Sequence, residues 1–320
     1  MGECFISRRG GGEAYKLPIL DTNYPQDISV MATPNGIASF SIAIAEHGKP
    51  TDYTYQWYVN GEAVSGAINA NYSMNATANN IGTYTVYCDI TNKAGTISSR
   101  AATLRVKNAV PNSTTYSYSG TSELKKDSNY DWTLYLKSSG VLALGDSYNV
   151  DIFVQGGGGG GASYAGDNGE GGGGGGYQNT QYAQTISGSN DITIGAGGAI
   201  ATTGGTSIAF GFRAAGGNPG NGMTGGTGTG NGGAGGWYWD GGNQGNPGGN
   251  GGNGKQAFGV GDTYYGAGGG GAASKFGSPD GKGGTTGGGN AGSAATANTG
   301  SGGGGNAAGG SGIVIIRNAR

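Results

Sequence analysis

Two unbroken runs of six glycines, Gly156–Gly161 and Gly171–Gly176, constrain this chain more than any other feature. Polyglycine has no side chain to bury and loses more backbone freedom on ordering than any other sequence. Such a run is either a loose tether or part of something held together by main-chain hydrogen bonds. The runs open a tract unlike what precedes it: of the 77 glycines, 13 lie before residue 156 and 64 between 156 and 312.

Four readings compete for residues 156–312. Collagen needs glycine at every third position with abundant proline, which the six-glycine runs and a total of 8 prolines exclude. A flexible linker suits the Gly/Ser/Asn composition. Against it, aromatic residues punctuate the tract at Tyr177, Tyr182, Phe210, Phe212, Trp237, Tyr238, Trp239, Phe258, Tyr264, Tyr265 and Phe276. A calcium-binding β-roll needs an aspartate in each nonapeptide, and Asp167, Asp191, Asp240, Asp262 and Asp280 are too sparse and irregular. The remaining reading is a bundle of glycine helices of the polyproline-II type. Such helices have three residues per turn and no internal hydrogen bonds, so their N–H and C=O groups must be satisfied by neighbouring helices. Stretches such as 225–236 suit helices whose non-glycine residues occupy outward positions.

Apolar strands bracket the tract. Asn149-Val150-Asp151-Ile152-Phe153-Val154 runs into the first glycines, and Ile313-Val314-Ile315-Ile316-Arg317 follows the last. Each can bury its apolar faces only against a shared sheet, which predicts one domain over 108–320. Its β-scaffold is expected at 108–155, 191–215 and 312–320, with strands at 115–118, 132–137, 140–143, 148–154, 191–194 and 206–210, and the bundle within 156–312.

Residues 25–107 read differently, as short alternating segments at 27–34, 37–45, 53–59, 70–75, 83–91 and 96–106 with turn residues between. That spacing predicts a β-sandwich. Trp57, on a strand that ends at Asn60-Gly61, and Tyr84 in Ile81-Gly82-Thr83-Tyr84-Thr85-Val86 resemble the inter-sheet tryptophan and tyrosine corner of immunoglobulin-like modules of bacterial surface and phage proteins. Val86 stands where that pattern has its second cysteine. Cys88, two residues on, is expected to share the inward face with no cysteine opposite it. The fold class expected for the whole chain is therefore all-β: an immunoglobulin-like sandwich followed by a β-scaffold carrying a polyglycine-II bundle. Residues 1–24 read as an attachment arm that orders on a partner, or as a plain flexible terminus.

Catalysis finds little support. The sole histidine, His47, lies in a turn, Glu46-His47-Gly48-Lys49-Pro50, and neither metal clusters nor a Walker loop occur. No cofactor is expected. A formal net charge of -2, with 17 Lys and Arg spread along the chain, offers no footprint for nucleic acid, and no run is apolar enough to span a bilayer. Two cysteines and the lack of a secretion signal suggest synthesis in a reducing cytoplasm.

The order of motifs over about 115–320 resembles the glycine-rich domain family: an apolar strand, six glycines, the second run ending in Tyr177, Ile192-Thr193-Ile194-Gly195-Ala196-Gly197-Gly198, Ala214-Ala215-Gly216-Gly217, and a terminal Gly310-Ser311-Gly312-Ile313-Val314-Ile315-Ile316-Arg317. That family occurs in tail-fibre and surface proteins of phages and bacteria and in the extracellular part of anaplastic lymphoma receptor kinases. A related polyglycine sandwich in tail adhesins of some T-even-like phages contacts the host receptor through apical loops. The resemblance implies a non-enzymatic phage or prophage tail protein, located in the virion and acting outside cells. Its partners would be other tail proteins through the arm and host-surface carbohydrate or protein through aromatic loops, and a homo-oligomer is left open. The candidate contact residues are Trp237, Tyr238, Trp239, Asp240, Tyr264, Tyr265, Tyr177 and Tyr182, which could equally cap the bundle. A virion or capsid decoration protein and an exported bacterial adhesin are the alternatives.

Overall fold

The structure, a computed structural model, describes residues 15–33, 35–126, 131–163, 169–229, 248–261, 263–273, 280–284 and 287–319. The protein is all-β. It divides into two compact units, residues 1–109 and 110–320.

In the first unit the described strands are β1 (Ile19–Leu20), β2 (Ile28–Met31), β3 (Ile37–Ser41), β4 (Ile44–Glu46), β5 (Thr54–Val59), β6 (Glu62–Ala63), β7 (Asn71–Asn75), β8 (Gly82–Asn92), β9 (Gly95–Ser98) and β10 (Ala102–Lys107). One sheet has the order β2-β10-β8-β5-β6, with β9 also on β8; β3 and β7 pair separately, as do β1 and β4. Alternation on these strands turns Ala38 and Phe40, Val86, Cys88 and Ile90, and Leu104 and Val106 into one core around Trp57. Trp57 is fully buried between Phe40 and Tyr72, its ring centroid 6.3 and 5.7 Å from theirs, and its indole N–H donates to the Asn69 carbonyl at 2.8 Å. The Tyr84 hydroxyl donates to the Asn80 carbonyl at 3.0 Å, the bond a tyrosine corner requires.

Two expectations for this unit need correction. The arm expected over 1–24 is part of the sandwich from Lys16 onward: Lys16 exchanges both backbone bonds with Lys49, β1 pairs with β4, and Asn92 donates to the Lys16 carbonyl. The single strand expected at 96–106 is two. Its break has a cause in Arg100, whose guanidinium bonds to the Pro25 carbonyl and Asp27, while the Ser99 hydroxyl accepts the Cys88 N–H, so that β10 leaves β9 to run parallel to β2.

Cys88 lies fully inside, and burial pushes its thiol up to about 12. The thiolate is the reactive form, so in a Cys4→Ser background a maleimide at pH 8 is expected to leave the native chain unlabelled and to label it fully in denaturant. Labelling at the same rate in both states would contradict the packing. The unfolded thiol ionises near its ordinary ~8.5 and then holds fewer protons than the folded one, so this group lowers stability as pH rises from about 8.5 toward about 12.

In the second unit the strands are β11 (Tyr116–Tyr118), β12 (Ser122–Lys126), β13 (Trp132–Leu136), β14 (Gly140–Gln155), β15 (Gln178–Ile192), β16 (Ser207–Ala209), β17 (Phe212–Ala214), β18 (Lys255–Gln256), β19 (Tyr264–Tyr265) and β20 (Ile313–Asn318). The main sheet runs β11-β14-β20-β13-β12, with β15 along the other edge of β14. Strand β20 and the last six residues of β14, 150–155, are buried on both faces, which is why they read as nearly continuous apolar runs. One face packs Leu134, Leu136, Val150, Ile152, Val154, Val314 and Ile316 into the larger core; the other turns Phe153, Ile313 and Ile315 toward Ala257 and Tyr265.

The strands expected at 140–143 and 148–154 are one. Gly145 bonds to the Thr115 carbonyl where the β14–β15 register shifts between Leu144 and Tyr148. Strand β15 is the larger surprise. Its polar sequence begins within the expected bundle, yet it pairs with nearly all of β14, and its two irregular points carry Ala183 at φ 51° and Gly188 at φ 68°. Conversely, most of 195–206, expected as scaffold, belongs to the glycine bundle, so that between Ile192 and Ser207 only the Thr193–Ile208 bridge continues the strand pairing.

The bundle repeats every three residues. Along the first glycine run the N–H groups of Gly156, Gly159 and Ala162 donate to Tyr177, Gly174 and Gly171; those of Gly157 and Gly160 to Gly205 and Thr202; those of Gly158 and Gly161 to Gly310 and Ala307. Each set descends as the run ascends, so these neighbours are antiparallel. The carbonyls of Gly157 and Gly160 accept from Gly217 and Gly220, those of Gly158 and Gly161 from Gly198 and Ala201, and those of Gly159 and Ala162 from Gly303 and Asn306, all parallel. The first run is therefore a threefold helix surrounded on every side by hydrogen-bonded neighbours, as a polyglycine-II lattice requires.

This geometry separates interior from peripheral sequences. A Cβ added at Gly157, Gly158, Gly159 or Gly160 would stand closer than 3.0 Å to the carbonyl oxygens of Ala196, Ser301, Asn218 and Ala199, each on a different neighbour or turn. Peripheral helices carry side chains at every third position and expose them, as Ala196 and Ala199, Ala215, Asn218 and Asn221, and Asn250 and Asn253 do.

Energetically such a lattice is weak alone. A hydrogen bond gains a net ~0.5–1.5 kcal/mol, whereas fixing a backbone residue costs ~1–2 kcal/mol, and polyglycine adds almost no apolar burial. The sheet supplies what is missing. Gln155, the last residue of β14 and fully buried, donates from its side-chain amide to the carbonyls of Gly156 and Gly176 at 3.0 and 2.8 Å. Its own carbonyl accepts the Ser207 hydroxyl, which in turn accepts the Gly195 N–H. Strand and lattice are thus joined by bonds at the point where one becomes the other.

Candidate functional site

Cross-strand register builds the floor of a groove on the second face of the main sheet. Residues pair Thr133 with Arg317 and Tyr135 with Ile315 between β13 and β20, then Arg317 with Asp151 and Ile315 with Phe153 between β20 and β14. One row is therefore polar and the next aromatic and aliphatic. Over this floor lies the connection from β18 to β19. It turns sharply because Phe258 adopts the left-handed conformation (φ 54°, ψ 15°), followed by Gly259 at φ 71° and Gly261 at φ 96°. A bulky residue at positive φ is an outlier that surrounding contacts must maintain. Here they come from its ring, 6.0 Å from Phe153 and 6.4 Å from Tyr182 by centroid.

Arg317 supplies the remaining contact to that ring. Its guanidinium carbon stands 4.1 Å from the Phe258 centroid, a cation–π geometry. It is also paired with Asp151: Nε and Nη2 donate to Oδ2 at 3.0 and 2.9 Å, while Oδ1 accepts the Ala183 N–H turned inward at the β15 irregularity, at 3.1 Å. The side chains are 11% and 5% exposed. Thr133, Tyr135, Ala257, Phe258, Val260, Gly261, Thr263, Tyr265, Ile315 and Arg317 enclose ≈ 220 Å³. At the rim, Lys125 stands over the Tyr135 ring at 5.1 Å and, with Lys137, pairs with Glu123. Those bonds, chiefly the one from Lys137, hold the Glu123 carboxyl below its ordinary range.

The sequence candidates divide. Tyr265, expected as a contact residue, is 6% exposed and packs on Phe153 at 5.3 Å, so its main part is in the core; burial and the nearby Tyr135 push its hydroxyl up to about 12. Tyr264 is half-buried and does not line the groove. Tyr182 is 56% exposed and reaches the edge of Phe258. Tyr177 is exposed, with its backbone bonded to Gly156 and Ala215. Trp237, Tyr238, Trp239 and Asp240 lie outside the described residues. The reading missed Phe258, Tyr135 and Arg317 as a group. A signal for the last existed, since Asp151 and Arg317 are single charges inside apolar strands, and buried charges require a partner. Among the described residues no three His, Cys, Asp or Glu side chains gather as a metal group.

Together these observations define a glycine-helix lattice rooted in a half-open antiparallel sheet that carries an aromatic groove. The glycine-rich domain family matches residues 138–319, from just before β14 to the end of β20, and the chain belongs to that family. A search of curated proteins finds no match to the chain.

Proposed function

We propose that this chain is a non-enzymatic structural protein of a phage or prophage tail that attaches the particle to the host surface through side chains of its glycine-rich unit. The observation that carries this reading is the lattice itself. Main-chain bonds on all sides of the first glycine helix tie six neighbouring segments to it, a construction suited to work outside cells, and among the described residues it holds bulky side chains at defined positions. Family membership supports the reading by resemblance, since glycine-rich domains of this type occur in tail fibres. The first unit, with the Trp57 and Tyr84 features of immunoglobulin-like modules, serves as a spacer, and residues 1–14 attach to the particle.

The test is direct. Antibody against the chain should label tail tips in electron micrographs of particles, and purified chain should adhere to bacteria on which those particles grow. Trp239→Ala is expected to lower adhesion at least tenfold without lowering the melting temperature. Label confined to capsids would instead favour a decoration protein.

A further inference from the structure

We infer that the groove beneath Phe258 is a binding site for one neutral pyranose ring of a surface glycan. The inference rests on the adhesin reading for its biological source and on the groove for its chemistry. A pyranose has an apolar C–H face and a polar rim of hydroxyls. The groove offers both kinds of surface: half-buried Tyr135 and Phe258 with Ile315 and Val260 for the former, and the hydroxyls of Thr133 and Thr263 with the Arg317 guanidinium for the latter. Val260, at 55% exposed, is a large aliphatic side chain left open at its edge.

Charge and size narrow the occupant. The one charged side chain among the described lining residues, Arg317, is already neutralised by Asp151, while Lys125 and Lys137 share the single Glu123 carboxylate and leave one positive charge at the rim, outside the lining, so the lining itself suits a neutral ligand. Two of the guanidinium nitrogens are engaged with Asp151; the third has N–H groups suited to a neutral hydroxyl. The volume of ≈ 220 Å³ falls below the ~300–1,000 Å³ typical of pockets that enclose drug-sized molecules. One ring of a longer glycan fits that space, with its neighbours outside. The left-handed backbone at Phe258 is a second observation pointing the same way. Strain of this kind is held where a side chain must be presented in one orientation, and here it lays the ring over the groove.

Saturation-transfer NMR on the full chain tests this with methyl glycosides of neutral hexoses and N-acetylhexosamines, alongside methyl glucuronide and a phenylalanine-containing tripeptide. Transfer to the C–H face of at least one neutral glycoside is expected. Affinity should fall at least tenfold in Val260→Trp, which fills the groove from an exposed position, and in Phe258→Leu, with melting temperatures unchanged for Val260→Trp. No transfer to any neutral glycoside, undiminished binding by folded Val260→Trp, or preference for the tripeptide or the glucuronide would each overturn the inference. Adhesion of the same variants to bacteria separates the two claims. Wild-type adhesion that Val260→Trp leaves intact overturns the groove's role and spares the adhesin reading, whereas a wild-type chain that never adheres sinks the adhesin reading while the glycoside titration still decides the groove.

Discussion

Gly158→Ala is expected to unfold the glycine-rich unit and leave the sandwich of residues 15–107 standing. The added methyl would be driven into the backbone of Ser301, closer than 3.0 Å to its carbonyl oxygen and carbon. Neither side can yield locally. The Ser301 carbonyl accepts the Gly310 N–H, and the Gly310 carbonyl accepts from Gly158, so a shift of one helix breaks bonds in the next. The expected loss exceeds ~4 kcal/mol, in the range reserved for disrupted cores. Ala196→Ser, at an outward position of a peripheral helix, should change stability by no more than ~0.5 kcal/mol. Calorimetry together with limited proteolysis and mass spectrometry reads both. Cleavage confined to 110–320 in the first variant is the expected pattern, and a Gly158→Ala protein that melts like wild type would mean that the helices are not in backbone contact. Amide exchange supplies a check without mutation: the N–H groups of 157–162 should exchange slowly, and rapid exchange there would remove the lattice.

How much of this was legible depended on whether a residue's neighbours are encoded beside it. Six consecutive glycines announce an interior helix because six consecutive backbone contacts leave no outward position. The sandwich was legible through alternation at Val86, Cys88 and Ile90, and through Tyr84, whose partner Asn80 is four residues away. Strand β15 was not, because its partner supplies the apolar surface: in Gln178–Ile192 only Ile186 and Ile192 are buried, and two left-handed residues interrupt the period of two. The groove was least legible. Thr133, Phe258 and Arg317 are brought together by strand register and one turn over more than a hundred residues of intervening chain, and Phe258 carries no polar atom that sequence reasoning could flag. Tyr265 was legible in part: it lines the groove, yet most of its ring lies in the core. An aromatic among glycines looks displayed, but the apolar face of β14 needed covering, and Tyr265 covers it.

The second large effect should come from the charge pair under the groove. Arg317→Met is expected to cost ~3–5 kcal/mol, because it strands the Asp151 carboxylate in a site where its side chain is 5% exposed. Adding Asp151→Asn should recover most of that loss. Asparagine keeps an oxygen for the Ala183 N–H, no charge remains to desolvate, and the methionine sulfur can still contact the Phe258 ring. A double-mutant cycle by urea denaturation measures the coupling between the two positions, expected to be at least ~2 kcal/mol. The recovery matters more than the loss. If the double variant is as unstable as Arg317→Met alone, the damage lies in the stem and planar head of the arginine that support Phe258, and the pair acts through packing. If recovery is nearly complete, the buried charges set the register of β20 against β14 rather than adding stability, and the cost of breaking them is the cost of leaving one behind.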